Sequence, residues 1–171
     1  KNKILSVGRL EPQKNYLNLI NNLKSSKLDL HIVGEGTLKE KIIEESKNQN
    51  VNIKLVQKMK FEDLINLYKK YKYFLMFSKF EGHPKSLIEA MSNGCIPIVL
   101  EADYVPEIIK HNQNGIILKS KDDEISKVID YLNENEELAN NLSQNAKSFV
   151  TNNYSKSKIM KEEVDLYNLV S

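Results

Sequence analysis

The sequence predicts an α/β fold: an open parallel sheet of about six strands, helices on both faces, and a helical carboxyl-terminal segment. Three observations predict it. Short apolar or β-branched runs recur at Ile4 to Val7, Leu28 to Val33, Val51 to Val56, Tyr73 to Phe77, Ile96 to Leu100 and Ile116 to Leu118. The segments between them place apolar residues at helical spacing. After Lys119 the strand-like runs stop and only helical patterns follow. Parallel strands need crossovers, and crossover helices cover both faces of the sheet, so such strands read as continuous apolar runs.

The first strand, Ile4 to Val7, runs into Gly8-Arg9, and Leu17, Leu19, Ile20 and Leu23 then mark a helix. The second carries His31 between apolar neighbours, a structural position for a histidine, and ends at Gly34-Glu35-Gly36. A helix starting near Thr37 follows, with Leu38, Ile42 and Ile43 on its buried side. The third strand leads to a helix marked by Leu64, Ile65, Leu67 and Tyr68. Lys69, Lys70 and Lys72 lie near the end of that helix, where positive charge complements the dipole, while Tyr73 and Phe74 open the next buried strand. This accounts for the basic and aromatic mixture of residues 68–74 better than a membrane or nucleic-acid patch does.

The fourth strand enters a turn over residues 78–86 and a helix with Pro84 at its first position, where a missing N–H costs nothing. The N–H groups of Lys85, Ser86 and Leu87 would then be unpaired and point at an anion. Leu87, Ile88 and Met91 form the buried stripe of that helix, and Lys85 and Glu89 share the opposite face. The fifth and sixth strands complete the sheet. Three helical segments follow, over Asp122 to Asn133, Glu136 to Val150 and Lys156 to Leu169, with Asp122 and Asp123 as capping residues.

With 171 residues, 40% hydrophobic content and 28% charge, the chain has the composition of a single soluble domain with a real core. Its 25 basic and 23 acidic residues are interspersed, which leaves a net charge of +2 and no electrostatic footprint for nucleic acid. The lone Cys95 cannot form an internal disulfide and reads as a reduced, buried thiol, hence a cytoplasmic setting. No apolar run approaches the roughly 20 residues needed to cross a bilayer. The chain opens without methionine close to its first strand, so residues cut from a longer protein are expected.

In open parallel sheets the ligand crevice lies beyond the carboxyl ends of the strands. Arg9 and Lys14 follow the first strand there, and a guanidinium with an ammonium would neutralise a diphosphate. Two solvated surface charges fit that position equally well. Gly34 and Gly36 suggest a dinucleotide fingerprint, but Lys39 stands where the third glycine belongs, so a structural turn is favoured over ligand contact. In the stretch from Glu81 to Gly94, Glu81 and Glu89 are carboxylates able to accept hydrogen bonds from sugar or ribose hydroxyls. A Lys85–Glu89 surface pair is the plainer alternative, yet lysine before glutamate is the weaker orientation and gives the helix little. His83 is favoured as a solvated loop residue over an oxygen donor, and His111 sits in a polar turn. Three scattered histidines, one cysteine and no Asp-x-Asp offer no metal-ligand cluster.

Taken together, Val7-Gly-Arg-Leu10 with Lys14-Asn15, His31-Ile-Val-Gly-Glu-Gly-Thr-Leu38, Glu81-Gly-His-Pro-Lys-Ser-Leu-Ile-Glu-Ala-Met91, Gly94, Pro97, Val105-Pro-Glu107 and Asn114-Gly115 resemble the carboxyl-terminal, donor-binding half of a retaining glycosyltransferase. The resemblance is to the GT-B fold, family four (group 1) type, and covers nearly the whole chain. It implies a Rossmann-like, nucleotide-sugar-binding domain over residues 1–171, with the amino-terminal acceptor domain absent. It implies that Arg9 and Lys14 bind the donor diphosphate as leaving group, that Glu81 contacts the transferred sugar and that Glu89 holds the ribose. Gly8, Gly34, Gly36 and Gly82 would line the donor site, as would the backbone of His83, Pro84, Lys85, Ser86 and Leu87. Base contacts would come largely from backbone around Gln57 to Lys60.

The family's usual turn is Glu-Gly-Phe-Gly, and His83-Pro84-Lys85 departs from it, in a form similar to members that build bacterial polysaccharides. The resemblance further implies a UDP- or GDP-sugar donor, no cofactor and no metal. An acceptor glycan or lipid-linked sugar would be the second substrate, with a cytoplasmic location that extends to the inner face of the membrane. The rival readings are a nucleotide-sugar epimerase domain and a non-catalytic nucleotide-binding module.

Overall fold

Each strand turns apolar side chains to both sides, and the two sides bury against different helices. In β4 (Tyr73–Met76), Tyr73 and Leu75 join one core while Phe74 and Met76 join the other. The same alternation divides Ile4 from Leu5 in β1 (Lys3–Val7), and Ile98 from Val99 in β5 (Ile96–Leu100). This is the two-residue period of a pleated strand with helices above and below.

The computed structural model describes residues 3–24, 26–119 and 124–154. The expected capping residues Asp122 and Asp123 and the expected helix from Lys156 to Leu169 lie outside the described residues. Together with β2 (Asp29–Val33), β3 (Ile53–Val56) and β6 (Ile116–Leu118), the strands form one parallel sheet of order β3-β2-β1-β4-β5-β6. This is the Rossmann-like architecture expected from the sequence.

One core contains residues of α1 (Tyr16–Asn21), α2 (Lys39–Asn48) and α6 (Glu124–Glu134), through Leu19, Ile20, Ile42, Ile125, Ile129 and Leu132. The other contains residues of α3 (Phe61–Tyr68), α4 (Lys85–Ser92) and α5 (Val105–Ile108), through Tyr68, Leu87, Ala90, Met91, Val105 and Ile108. The long α7 (Glu136–Tyr154) gives Ala139 and Leu142 to the first core and Ala146 and Val150 to the second, and packs on α4 and β5.

The strand boundaries depart from expectation by two residues at most. Val51 is buried but unpaired in the sheet, because its N–H donates to the Ser46 carbonyl at the end of α2. The second helix starts at Lys39 rather than near Thr37, since Thr37 donates instead to the Glu11 carboxylate. The four-residue α5 has no periodicity to announce it, being about one turn long. Cys95 is free and buried, and burial pushes its thiol up to about 12.

Candidate functional site

The strand order reverses between β1 and β4, so the loops that leave their carboxyl ends splay to opposite sides and leave a crevice. Residues 8–15 and 77–84 form its two walls. The first wall contains a short 3₁₀ turn, Pro12–Lys14, closed by Asn15 at φ 57°. Gln13 then ties the walls together: its carbonyl accepts the Lys79 N–H at 2.9 Å, and its Nε2 donates to the Phe80 carbonyl at 2.7 Å. With both backbones fixed, Lys14 Nζ donates to Glu81 Oε1 at 2.5 Å, the two side chains being 14% and 9% exposed. Arg9 is exposed and donates from Nη2 to Gln13 Oε1 at 3.4 Å.

Three of the candidate glycines work in packing loops together. A Cβ on Gly34, whose φ is +156°, would lie 1.9 Å from the Gly8 carbonyl oxygen, and one on Gly36 would lie 2.6 Å from that of Leu10. Their absence lets the loop after β2 press on the loop after β1, where Leu10 N–H donates to Glu35 and Leu38 N–H to Leu10. At Gly8 the missing side chain leaves room for Lys14, whose Cε would stand 2.9 Å from such a Cβ. Gly82 differs: it is exposed and a Cβ there would meet nothing within 4 Å.

At the start of α4 the structure corrects two expectations. Pro84 precedes the helix as its cap, at φ −80° and ψ 71°, rather than occupying its first position. Its carbonyl accepts the N–H groups of Leu87 and Ile88, and the His83 carbonyl accepts that of Lys85. Of the three N–H groups expected to be free, only that of Ser86 has no acceptor among the described residues. His83 and Lys85 are exposed, with the His83 ring 5.9 Å from that of Tyr154.

Glu89 likewise does not share with Lys85 the open solvent face that helix geometry predicts. It is half-buried, and the phenol of Tyr68 donates to its Oε2 at 3.1 Å, from the last residue of α3. Burial raises the Glu89 carboxyl above its ordinary value, against the lowering effects of the Tyr68 hydrogen bond and the nearby Lys85 charge. The buried stripe of α4 is Leu87, Ala90 and Met91, with Ile88 only partly covered.

Sequence reasoning gives no role at the site to three tyrosines under the crevice: Tyr16 and Tyr68, which are buried, and Tyr104, which is partly buried. Tyr16 donates to the Gly8 carbonyl at 3.4 Å and Tyr104 to the Ser78 carbonyl at 3.3 Å. The phenols of Tyr16, Tyr68 and Tyr104 are all raised, first by burial; the Glu81 charge adds to this at Tyr16 and Tyr104, and the Glu89 charge at Tyr68. Beside them Ser78 Oγ is buried with no hydrogen-bond partner among the described residues. A tyrosine in an apolar helix or strand signals core, and no local spacing links residue 68 to residue 89.

A cavity of about 390 Å³ opens beside Arg9 at the carboxyl ends of β1 and β2, lined also by Gly8, Gly34, Glu35, Lys58 and Met59. Lys58 and Met59 belong to the stretch where base contacts are expected. Two larger depressions, each about 560 Å³, flank β3 and β6 at the outer edges of the sheet and hold none of the candidate residues. Among the described residues, no group of three His, Cys, Asp or Glu is placed to hold a metal ion, and no helix is long and apolar enough to cross a membrane.

Comparison with known proteins gives a consistent picture. The model of the family "Glycosyl transferases group 1" matches residues 1–149. The chain is 32% identical over 137 residues to the N-acetylgalactosamine-N,N'-diacetylbacillosaminyl-diphospho-undecaprenol 4-alpha-N-acetylgalactosaminyltransferase of Campylobacter jejuni, a match covering 77% of this chain and 34% of that protein. It spans less than half the length of the curated relatives it matches.

Its fold is similar to a mutant of Staphylococcus aureus TarM crystallised with fondaparinux, alpha-GlcNAc-glycerol and UDP, at a TM-score of 0.81 and 24% identity over 98% of this chain and 36% of that one. It is also similar to the C-terminal domain of the Francisella tularensis group 1 glycosyltransferase LpcC, at a TM-score of 0.77 and 23% identity, covering 91% of this chain and 87% of that one. The family match runs from β1 into α7, and on that ground this chain belongs to the group 1 glycosyltransferases, as a Rossmann-like half of the GT-B fold.

Proposed function

We propose that this chain is the donor-binding half of an enzyme that transfers a sugar from a nucleoside diphosphate sugar to an acceptor with retention of configuration. The observation that carries the reading is the Lys14–Glu81 pair at the point where strand order reverses, with Arg9 on the same wall. One N–H of the Lys14 ammonium is engaged by Glu81, and two remain for pyrophosphate oxygens. Arg9, Lys14 and the Ser86 N–H supply positive charge where negative charge develops on the departing diphosphate. In this reading they do what a divalent cation does in other transferases, so no metal is required.

Glu81 accepts a hydroxyl of the transferred sugar beside that charge, and Glu89 accepts ribose hydroxyls further along α4. The base enters the cavity beside Arg9 and meets the stretch around Lys58 and Met59. An amino-terminal domain beyond this chain brings the acceptor, a glycan or lipid-linked sugar, to the leaving-group face of the donor. The undecaprenol-linked substrate in the name of the Campylobacter relative supports a role in bacterial polysaccharide or glycolipid synthesis, at the cytoplasmic face of the membrane.

Calorimetry with UDP, GDP and their sugar conjugates at millimolar concentration tests the donor site: heat of binding with at least one is expected, and none with any overturns the reading. In the complete protein, Glu81→Ala should retain donor binding and lose transfer. The product should be a new glycosidic bond with the donor's anomeric configuration, where an epimerase would return an isomerised donor.

A further inference from the structure

The geometry of α3 and α4 points to Tyr68 as the residue that positions Glu89: its buried phenol holds one carboxylate oxygen so that the other faces the ribose of the donor. The inference rests on the proposed reading in which Glu89 takes the ribose hydroxyls. Tyr68 has no exposed surface, and its place is set independently of Glu89. Its ring packs edge-on against Phe74 of β4, with centroids 6.0 Å apart. Its carbonyl accepts from Cys95 Sγ at 3.3 Å. A donor anchored in this way by strand, helix and thiol presents its O–H from a fixed point.

Glu89 needs such a point. The terminal torsion of a glutamate is broad, so packing of the side chain does not by itself orient the carboxylate plane. The phenol takes Oε2 at 3.1 Å, while Oε1 has no partner among the described residues. A carboxylate oxygen left in this state, half-buried and with its lone pairs unused, is an acceptor held ready for hydroxyl donors. A vicinal diol offers two. The remaining influence on the carboxylate, the Lys85 charge one turn earlier on α4, comes from an exposed and flexible side chain and sets no direction. The phenol therefore does the orienting, and it also supplies a hydrogen bond that favours the ionised carboxylate where burial opposes it.

The test pairs ligands with variants of this chain and reads dissociation constants by calorimetry. UDP is compared with 2′,3′-dideoxy-UDP, and GDP with its dideoxy analogue, for the wild type, Glu89→Gln, Tyr68→Phe and Tyr73→Phe. Tyr73 is an equally buried tyrosine whose hydroxyl bonds Asn133 at 2.9 Å, so its variant reports the loss of a buried phenolic hydrogen bond away from the site. In the wild type the diol should be worth roughly tenfold in affinity, as hydrogen bonds to a charged group are. Tyr68→Phe should weaken UDP or GDP binding about fivefold and leave the dideoxy analogue within about twofold, so that the preference for the diol collapses.

Tyr73→Phe should keep the wild-type preference whatever it does to the melting temperature. If Glu89→Gln erases the preference and Tyr68→Phe leaves it intact, or weakens both ligands equally, the positioning role is overturned while the ribose reading stands. If Glu89→Gln leaves the preference intact, or no nucleotide binds, the ribose reading fails and the inference goes with it.

Discussion

Lys14 and Glu81, 67 residues apart in the chain, meet at 2.5 Å across the reversal of strand order, one on the loop after β1 and the other on the loop after β4. Both side chains are largely covered, so this is neither a solvated surface pair nor a fully sealed one. Gln13 fixes the two backbones beside it, and the pair therefore forms without ordering either loop anew. Each partner desolvates the other, which gives the pair an energetic signature apart from its role toward a ligand.

Lys14→Ala and Glu81→Ala should each destabilise the chain by about 1–3 kcal/mol, since each leaves a covered charge without its partner. The double variant should lose less than the sum by about 1 kcal/mol or more, as directly contacting residues do. Urea denaturation of the four proteins checks this. Additive single losses would mean that the contact contributes nothing of its own.

Gly34→Ala and Gly82→Ala should behave oppositely. At Gly34 the new methyl would overlap the Gly8 carbonyl, and the loops would have to part, with a loss of about 3 kcal/mol or more. At Gly82 the methyl meets open space, so thermal stability should stay within about 0.5 kcal/mol of wild type. If the proposed donor site is right, that same variant lowers nucleotide affinity. Thermal denaturation and calorimetry on both variants separate a packing glycine from a ligand-facing one.

The sheet was legible because its strands are buried on both faces: runs such as Ile96 to Leu100 leave no room for another reading, and the observed strand has the same bounds. The helices with an apolar stripe were legible for the same reason, whereas α5 is too short to show a stripe at all. The candidate residues at the site could be named individually, since each follows a strand end. Their partners could not, because Lys14 with Glu81, Glu89 with Tyr68 and Thr37 with Glu11 are set by tertiary packing over tens of residues. Pro84 precedes α4 instead of opening it, because the His83–Lys85 turn competes with regular helix there. Gly34 and Gly36 also let two loops approach closely, a contact that no local pattern announces.

The raised Glu89 carboxyl gives stability a pH dependence of known sign. The folded protein holds its proton to higher pH than the unfolded chain, so this group's contribution is fully present below the unfolded value near 4.5 and is lost as pH rises through the folded value. Glu89→Gln removes the titration and keeps an acceptor for Tyr68. Its melting temperature should exceed that of the wild type at pH 7 to 8, and the difference should shrink as pH falls toward 4. A constant difference across that range would show that Glu89 titrates as a solvated acid.

Cys95 should be inert. Its thiol is buried, donates to the carbonyls of Tyr68 and Tyr71, and is pushed up to about 12 by burial, so almost no thiolate exists at pH 8. A colourimetric disulfide reagent should react only as fast as the chain unfolds, and the rate should rise in step with denaturant. Rapid reaction of the native protein would contradict the burial of this strand end.

Mapping a nucleotide by backbone amide NMR tests the central claim most directly, since each amide reports its own surroundings. Titration with UDP or GDP should shift the resonances of residues 8–15, those around Lys58 and Met59, and those from Glu81 to Glu89, and should leave the outer depressions beside β3 and β6 unmoved. Shifts confined to those outer edges, or none with either nucleotide at millimolar concentration, would contradict it.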